Sequence, residues 1–229
     1  MALHSISENI SENIVAVQDA ISQAARAADR NPEDVRLIAV SKRKPASAIA
    51  KAASAGIEDF GENFLQEAIP KIETLAHLGL RWHFIGAIQS NKTRAIATYF
   101  QWIHTIERVK IARRLSEQCP EGKTLNLCIQ VNVDADPNKA GVAPEDTAEL
   151  LDVLMDLPRV KVRGLMTMLE RSSEPGRSYA LLAEIFDSLR SQADQWDTLS
   201  MGMSGDYRDA ISAGATQVRV GTAIFGPRS

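Results

Sequence analysis

The chain contains the apolar run Val35-Arg36-Leu37-Ile38-Ala39-Val40-Ser41, which is followed directly by Lys42. A run this short and this rich in aliphatic residues is typical of a strand buried on both faces, as in parallel sheets. Barrels and open α/β sheets build their sites at the carboxyl ends of such strands. A lysine there can be partly desolvated, which lowers its pKa and lets its amine attack a carbonyl. A solvated surface lysine beside Arg43 and Lys44 is the alternative interpretation.

Strand-like and helix-like segments alternate along the chain. We predict strands at Val35–Val40, Ile57–Phe60, Trp82–Gly86, Trp102–Ile106, Leu125–Val133, Val160–Met166, Thr198–Met203 and Gln217–Val220. Amphipathic stretches lie near 46–55, 63–76, 91–98, 108–118, 144–156, 175–194 and 206–213, after a leading helix at about 5–28. The alternation predicts a parallel sheet, and eight units of ~28 residues predict a single (β/α)8 TIM-like barrel. An open doubly wound sheet is the alternative fold.

Size and composition narrow the class of protein. With 229 residues, 45% of them hydrophobic, and no Pro/Gly/Ser-rich linker, we expect one domain over residues 1–229. A net charge of -3 gives no reason to expect nucleic acid or an anionic membrane as partner. We see no secretory signal, and Cys119 and Cys128 share no metal-ligand spacing, so we expect a cytoplasmic protein. Cys128 lies in an apolar run, which favours a buried, inert thiol.

Glycine and polar residues follow the last two predicted strands. Ser204 and Gly205 come after the seventh strand, and Gly221 and Thr222 come after the eighth. In barrels of this kind these two loops frequently bind phosphate through backbone N–H groups and a short helix. Taken singly, Ser204 could only cap a helix that starts near Asp206, and Gly221 could only form a tight turn. Their joint position favours a phosphate site.

Arg219 is unusual because its neighbours within the eighth strand are apolar. A buried arginine needs an acceptor, since its charge cannot be removed by deprotonation. Two interpretations stay open: an ion pair with a core carboxylate such as Glu62 or Asp206, or a bond to a ligand above the barrel. In a ligand site it would favour an unprotonated ring nitrogen.

Histidines and methionines give weaker signals. His83 is interpreted either as a group that orients a ligand or as a hydrogen-bonded core histidine. The other three of the 4 histidines lack partner spacing, so we predict no zinc site and no catalytic triad. For Met166 and the other methionines at strand ends, we favour a packing role over the alternative that they support the ring of a ligand. A lysine that faces a phosphate cup suggests a phosphorylated aldehyde held as a Schiff base. Pyridoxal 5'-phosphate (PLP) fits, and so does the substrate of a sugar-phosphate aldolase.

Seven segments of the chain resemble the pyridoxal phosphate homeostasis protein family, and together they run from the first strand to the C-terminus. They are Ala39-Val40-Ser41-Lys42, Phe60-Gly61-Glu62-Asn63, Trp82-His83-Phe84-Ile85-Gly86, Gln89-Ser90-Asn91-Lys92, Gly164-Leu165-Met166-Thr167, Leu199-Ser200-Met201-Gly202-Met203-Ser204 and Val218-Arg219-Val220-Gly221-Thr222-Ala223-Ile224-Phe225-Gly226. The resemblance implies a barrel akin to the N-terminal domain of alanine racemase. It also implies PLP on Lys42.

The resemblance further assigns roles to individual residues. It implies that Ser204, Gly221 and Thr222 hold the phosphate, that Arg219 faces the pyridine nitrogen, and that Asn63 and Met166 line the cofactor. His83 completes the expected cofactor-binding set. Lys139 matches a Lys-x-Gly element of the family, with a secondary PLP contact as one interpretation.

The family is associated with binding, buffering and delivering PLP, and with vitamin B6 and amino-acid balance. Alanine racemase needs a second base from another domain and a partner subunit, whereas this chain stops at Ser229 after its eighth strand. An arginine at the ring nitrogen also makes PLP a weaker electron sink. We therefore expect a non-catalytic, monomeric carrier with apo PLP-dependent enzymes as acceptors. A monomeric racemase of low activity and a PLP-dependent regulatory module are the alternatives.

Overall fold

A computed structural model describes residues 9–169 and 174–227 of the chain. Eight parallel strands pair in chain order and close on themselves, since β8 pairs with β1. The strands are β1 (Arg36–Val40), β2 (Asp59–Glu62), β3 (Arg81–Phe84), β4 (Trp102–Ile106), β5 (Leu125–Gln130), β6 (Val160–Met166), β7 (Thr198–Met203) and β8 (Gln217–Val220). The closed barrel confirms the predicted fold and rules out the open doubly wound sheet.

The helices form the outer layer of the barrel. They are α1 (Ile10–Ala27), α2 (Ala46–Ser54), α3 (Leu65–Thr74), α4 (Thr93–Tyr99), α5 (Val109–Gln118), α6 (Thr147–Met155), α7 (Pro175–Ser188), α8 (Tyr207–Ser212) and α9 (Thr222–Phe225). The leading helix was predicted over about 5–28, and residues 5–8 of that range lie outside the described residues. In the described part of the chain, no helix is both long and apolar enough to cross a membrane.

Four predicted strands differ from the observed ones at their ends. The first begins at Arg36 instead of Val35, and the third runs over Arg81–Phe84 instead of Trp82–Gly86. The second strand was expected at Ile57–Phe60 but runs from Asp59 to Glu62. Both carboxylates are buried in the observed strand, where Arg81 bonds Asp59 and Lys71 bonds Glu62. The fifth strand ends at Gln130, because the chain beyond it pairs only through the isolated bridge between Val131 and Val142. The second strand is therefore shifted toward its carboxyl end, where its buried carboxylates find partners, and a loop shortens the fifth strand.

The barrel has an apolar outer core and a more polar interior. Along β8, Val218 and Val220 belong to the large apolar cluster, while the alternate residue Arg219 is 3% exposed and polar. A separate small cluster joins Trp102, Cys128 and Met166. The predicted burial of Cys128 is confirmed, and burial raises the pKa of its thiol to about 12.

Candidate functional site

Three neighbouring strands bring the predicted site segments to one end of the barrel. In β7 and β8, Met203 lies opposite Arg219, and in β8 and β1, Val220 lies opposite Ala39. Because these strands are parallel, the residues that follow them emerge at the same mouth. Ser204, the pair Gly221 and Thr222, and Lys42 are those residues.

Lys42 sits in a tight turn between β1 and α2. The N–H of Lys44 donates to the carbonyl of Ser41 at 3.0 Å, which closes the turn around Lys42. Arg43 has a φ of 60°, a left-handed conformation that costs a non-glycine residue on the order of 1 kcal/mol. Its N–H donates to Glu67 Oε2 at 2.9 Å. Lys42 itself is half-buried.

Below this turn, a buried ion pair fixes the ends of β1 and β2. The Lys71 ammonium donates to Glu62 Oε1 at 2.8 Å and to the Ser41 carbonyl at 3.0 Å. The Ser41 hydroxyl donates to the same Glu62 oxygen at 2.7 Å. Burial raises the pKa of Glu62 although Lys71 and Ser41 both stabilise its charge. The carboxylate is thus held against the residue that precedes Lys42.

Asn63 follows β2 and offers an acceptor at the mouth. Its Oδ1 is buried and has no hydrogen-bond partner among the described residues. The chain at Asn63 passes so close to Gly86 that a Cβ on Gly86 would lie 2.0 Å from the Asn63 carbonyl oxygen. Gly86 therefore permits the close approach that sets the position of Asn63. A buried acceptor without a donor is costly unless a ligand or water supplies one.

The two loops predicted to hold phosphate lie side by side. Ser204 is exposed at the tip of a turn in which the Met203 N–H donates to Asp206 Oδ1 at 2.6 Å. The following helix begins at Tyr207 with Asp206 at its N-cap, so Ser204 is not the capping residue and that alternative is wrong. Gly221 precedes the short helix α9, and a Cβ there would lie 3.1 Å from the Val40 carbonyl oxygen.

Arg219 points into the barrel and bonds to two neutral acceptors. Its Nη1 donates to the Ser200 hydroxyl at 2.7 Å, and its Nη2 donates to the Thr167 carbonyl at 2.8 Å. The predicted alternative of an ion pair with Glu62 is wrong, since Glu62 bonds to Lys71 instead. Burial lowers the pKa of the guanidinium, which nonetheless stays charged.

His83 belongs to a row of polar side chains inside the barrel. Its Nε2 lies 2.9 Å from Asp59 Oδ1, and its Nδ1 lies 2.9 Å from His104 Nε2. His104 Nδ1 lies 2.9 Å from the Ser200 hydroxyl, the same group that accepts from Arg219. Both imidazoles are fully buried, which favours the core interpretation of His83 over direct contact with a ligand.

Sequence reasoning missed Asp59, His104 and Ser200 as partners in this row. The available signal was their position, because each is polar in a strand and lies on the side opposite the apolar outer core. Of the other predicted residues, Met166 is fully buried against Trp102 and Cys128. Lys139 is ion-paired, with its Nζ 2.9 Å from Asp134 Oδ2. In residues 9–169 and 174–227, no cluster of three or more His, Cys, Asp or Glu side chains could hold a metal ion.

The buried histidines predict a loss of stability in mild acid. Burial lowers the pKa of His83 and lowers the pKa of His104 well below its ordinary value, so both rings are neutral in the folded protein. In the unfolded chain they take up protons below about pH 6.5. The two neutral histidines therefore make their full contribution to stability above that pH. Below it the free energy of unfolding falls, by about 2 kcal/mol between pH 7 and pH 5.5.

Urea unfolding at a series of pH values measures this loss. The matched control is His77→Gln, because the His77 side chain is exposed and the variant should keep the full pH dependence. The double variant His83→Gln/His104→Gln should lose most of it. A wild-type stability that stays flat from pH 7 to pH 5.5 would contradict two neutral buried rings.

The comparisons with known proteins agree with this geometry. The profile of the family "Alanine racemase, N-terminal domain" matches residues 13–229. The pyridoxal phosphate homeostasis protein of Pseudomonas aeruginosa is 52% identical over 220 residues, which span 96% of each protein. The structure of PipY from Synechococcus elongatus PCC7942 with PLP bound is 38% identical, with a TM-score of 0.82 over 95% of this chain and 100% of PipY.

A more distant solved structure shares the architecture alone. Alanine racemase from Corynebacterium glutamicum superposes with a TM-score of 0.71 at 18% identity. The match spans 96% of this chain but only 61% of the racemase. The profile match and the near-complete overlap with relatives at more than 30% identity together decide the family. The chain belongs to the pyridoxal phosphate homeostasis proteins, which are built on the fold of the alanine racemase N-terminal domain.

Proposed function

We propose that this protein binds PLP as a Schiff base on Lys42 and buffers and delivers it as part of vitamin B6 and amino-acid homeostasis. The observation that carries the proposal is the convergence of Lys42 with the loops after β7 and β8 at one mouth. An amine for the aldehyde and backbone N–H groups for the phosphate then flank the same space. The relatives named for PLP homeostasis, and the PLP-bound structure of PipY, support the choice of this aldehyde over a sugar phosphate.

The side chains at the mouth fit PLP chemically. Asn63 Oδ1 is a buried acceptor without a protein donor in the described part of the chain, as expected where a ligand completes the bonding. Arg219 is a permanent donor, which suits an unprotonated pyridine nitrogen. Ser204 and Thr222 are exposed hydroxyl groups beside the phosphate loops. Met166 and His83 lie beneath, buried in the barrel interior, and support the floor of the site.

A carrier role is favoured over catalysis by the chemistry of the ring contact. When bound, PLP serves enzymes as an electron sink, and that property weakens when the ring nitrogen faces arginine instead of a carboxylic acid. We therefore infer a non-catalytic protein that passes PLP to apo-enzymes and acts as a monomer in the cytoplasm. Transfer of PLP to an apo-enzyme without conversion of any amino acid would support the carrier. Steady turnover of a D- or L-amino acid would instead support the racemase alternative.

The attachment site is tested by mass spectrometry of the protein after PLP loading and borohydride reduction. The reduced adduct should be found on the peptide that contains Lys42. Lys139 provides an internal comparison, because it is the other lysine for which the resemblance suggests a PLP contact. An adduct found on Lys139 or on Lys44, and not on Lys42, would contradict the assignment.

The phosphate assignment predicts weaker retention in Thr222→Ala. We expect PLP to be held less tightly by about 1–3 kcal/mol, the usual effect of losing a hydrogen bond to a charged group. Equilibrium dialysis of the loaded protein measures the change. Thr98→Ala is a matched control, because the Thr98 hydroxyl donates to the Arg94 carbonyl within α4. Equal retention by wild type and Thr222→Ala would place the phosphate elsewhere.

A further inference from the structure

We propose that Arg219 is positioned by a directed hydrogen-bond chain that crosses the barrel interior through Ser200, His104 and His83 to Asp59. The chain is continuous, with successive distances of 2.7, 2.9, 2.9 and 2.9 Å. Its members come from β8, β7, β4, β3 and β2, so it links five of the eight strands. The inference rests on the proposed function only where it concerns the effect on PLP.

At the Asp59 end of the hydrogen-bond chain, the carboxylate determines which group carries the first proton. Burial raises the pKa of Asp59, but hydrogen bonds from Arg81 and His83 outweigh burial and hold that pKa well below its usual value. Arg81 donates twice, from Nε to Oδ1 and from Nη2 to Oδ2, each at 2.8 Å. Arg36 lies 3.8 Å from the same carboxylate. An ionised carboxylate only accepts, so the proton between Asp59 and His83 belongs to His83 Nε2.

The remaining protons follow from the first. A neutral His83 that carries its proton on Nε2 must accept at Nδ1, so His104 donates from its own Nε2. A neutral His104 then accepts at Nδ1 and takes the Ser200 hydroxyl proton. The Ser200 oxygen is left to accept, and Arg219 is a group that can only donate. The donor Arg219 at one end and the acceptor Asp59 at the other therefore require the same direction of donation along the hydrogen-bond chain. In this arrangement both imidazoles are the Nε2–H tautomer.

This arrangement holds the guanidinium without neutralising it. Its two side-chain bonds go to the Ser200 hydroxyl and the Thr167 carbonyl, and they fix the plane of the group. The carboxylate that ends the chain is itself paired with Arg81 at the far side. Arg219 thus keeps its positive charge and further N–H donors for an acceptor at the mouth. Ser200, His104, His83 and Asp59 are positioning residues that act through Arg219.

The tautomers are tested on the PLP-free protein by ¹⁵N NMR of labelled histidine. The His83 and His104 rings should each be neutral and protonated at Nε2, with assignments from the single variants His83→Gln and His104→Gln. A ring protonated at Nδ1, or a cationic ring at neutral pH, would contradict the proposed hydrogen-bond chain. Because no PLP is present, failure of the proposed function cannot produce either result.

The positioning role is tested on the PLP-loaded protein with three serine variants. Ser200→Ala removes the acceptor of Arg219 and should weaken PLP retention by about tenfold and shift the visible absorption band. Ser200→Thr keeps a hydroxyl and should restore both. Ser116→Ala removes another buried hydroxyl, one bonded to the Pro158 carbonyl, and should change neither. If wild type binds PLP and Ser200→Ala retains it equally with an unshifted band, the positioning role is wrong.

Discussion

The Lys42→Ala variant should lose all PLP that borohydride can trap, together with the visible absorbance of the loaded protein. A methyl group cannot form the bond to the aldehyde, so only the non-covalent contacts of phosphate and ring remain. Because only those contacts hold PLP in the variant, it should lose PLP on a desalting column. Wild type should retain its PLP on the same column. Absorbance spectra before and after the column, with mass spectrometry of the reduced protein, measure both losses.

The Lys42→Ala variant should remain folded, which makes the result interpretable. The turn is closed by the backbone bond from Lys44 to Ser41 and by the bond from the Arg43 N–H to Glu67, and neither uses the Lys42 side chain. We expect its Tm to lie within about 2 °C of wild type. Lys44→Ala is the matched control, because Lys44 donates to the Pro227 carbonyl and should be dispensable for the adduct. A full-strength adduct in Lys42→Ala would refute the covalent assignment.

The fold followed from local patterns because a barrel strand is buried on both faces. The segments Trp102–Ile106, Val160–Met166, Thr198–Met203 and Gln217–Val220 have the predicted bounds in the structure. Each of these segments is a continuous run of residues typical of strands, and the run ends where the observed strand ends. The second strand shows the limit of this pattern. The observed strand ends at Glu62 instead of Phe60. The buried carboxylates of Asp59 and Glu62 bond to Arg81, His83 and Lys71, and the sequence alone does not reveal these partners.

The site was predictable in outline and not in its supporting contacts. Lys42, Gly221 and Thr222 could be placed at one mouth because every parallel strand of a barrel ends there. The partners of Arg219 could not be chosen from sequence. Ser200 is 19 residues from Arg219 and 96 residues from His104, and many polar residues lie at such separations. Closure of the barrel decides which of them meet across its interior.

The Lys71→Met variant should be strongly destabilised. Lys71 and Glu62 form an ion pair whose side chains are 10% and 0% exposed. Removing the ammonium leaves Glu62 with a buried charge, bonded only by the Ser41 hydroxyl among the contacts described. Breaking a buried pair in this way typically costs about 3–5 kcal/mol. Urea unfolding followed by circular dichroism measures it, with Lys51→Met as control because Lys51 is exposed on α2.

A second substitution separates the uncompensated charge from the lost packing of the lysine. In Lys71→Met/Glu62→Gln no buried charge remains, and the glutamine can still accept from Ser41, so the double variant should be more stable than Lys71→Met alone. Acid should also rescue the single variant. Burial raises the pKa of Glu62 and Lys71 counteracts that rise, so removing Lys71 raises this pKa further. Protonation of Glu62 then favours the folded variant more than folded wild type, and the deficit shrinks as the pH falls, by up to about 1.4 kcal/mol per unit. A double variant less stable than the single one, with a deficit independent of pH, would show that Lys71 stabilises the fold by packing and not by its charge.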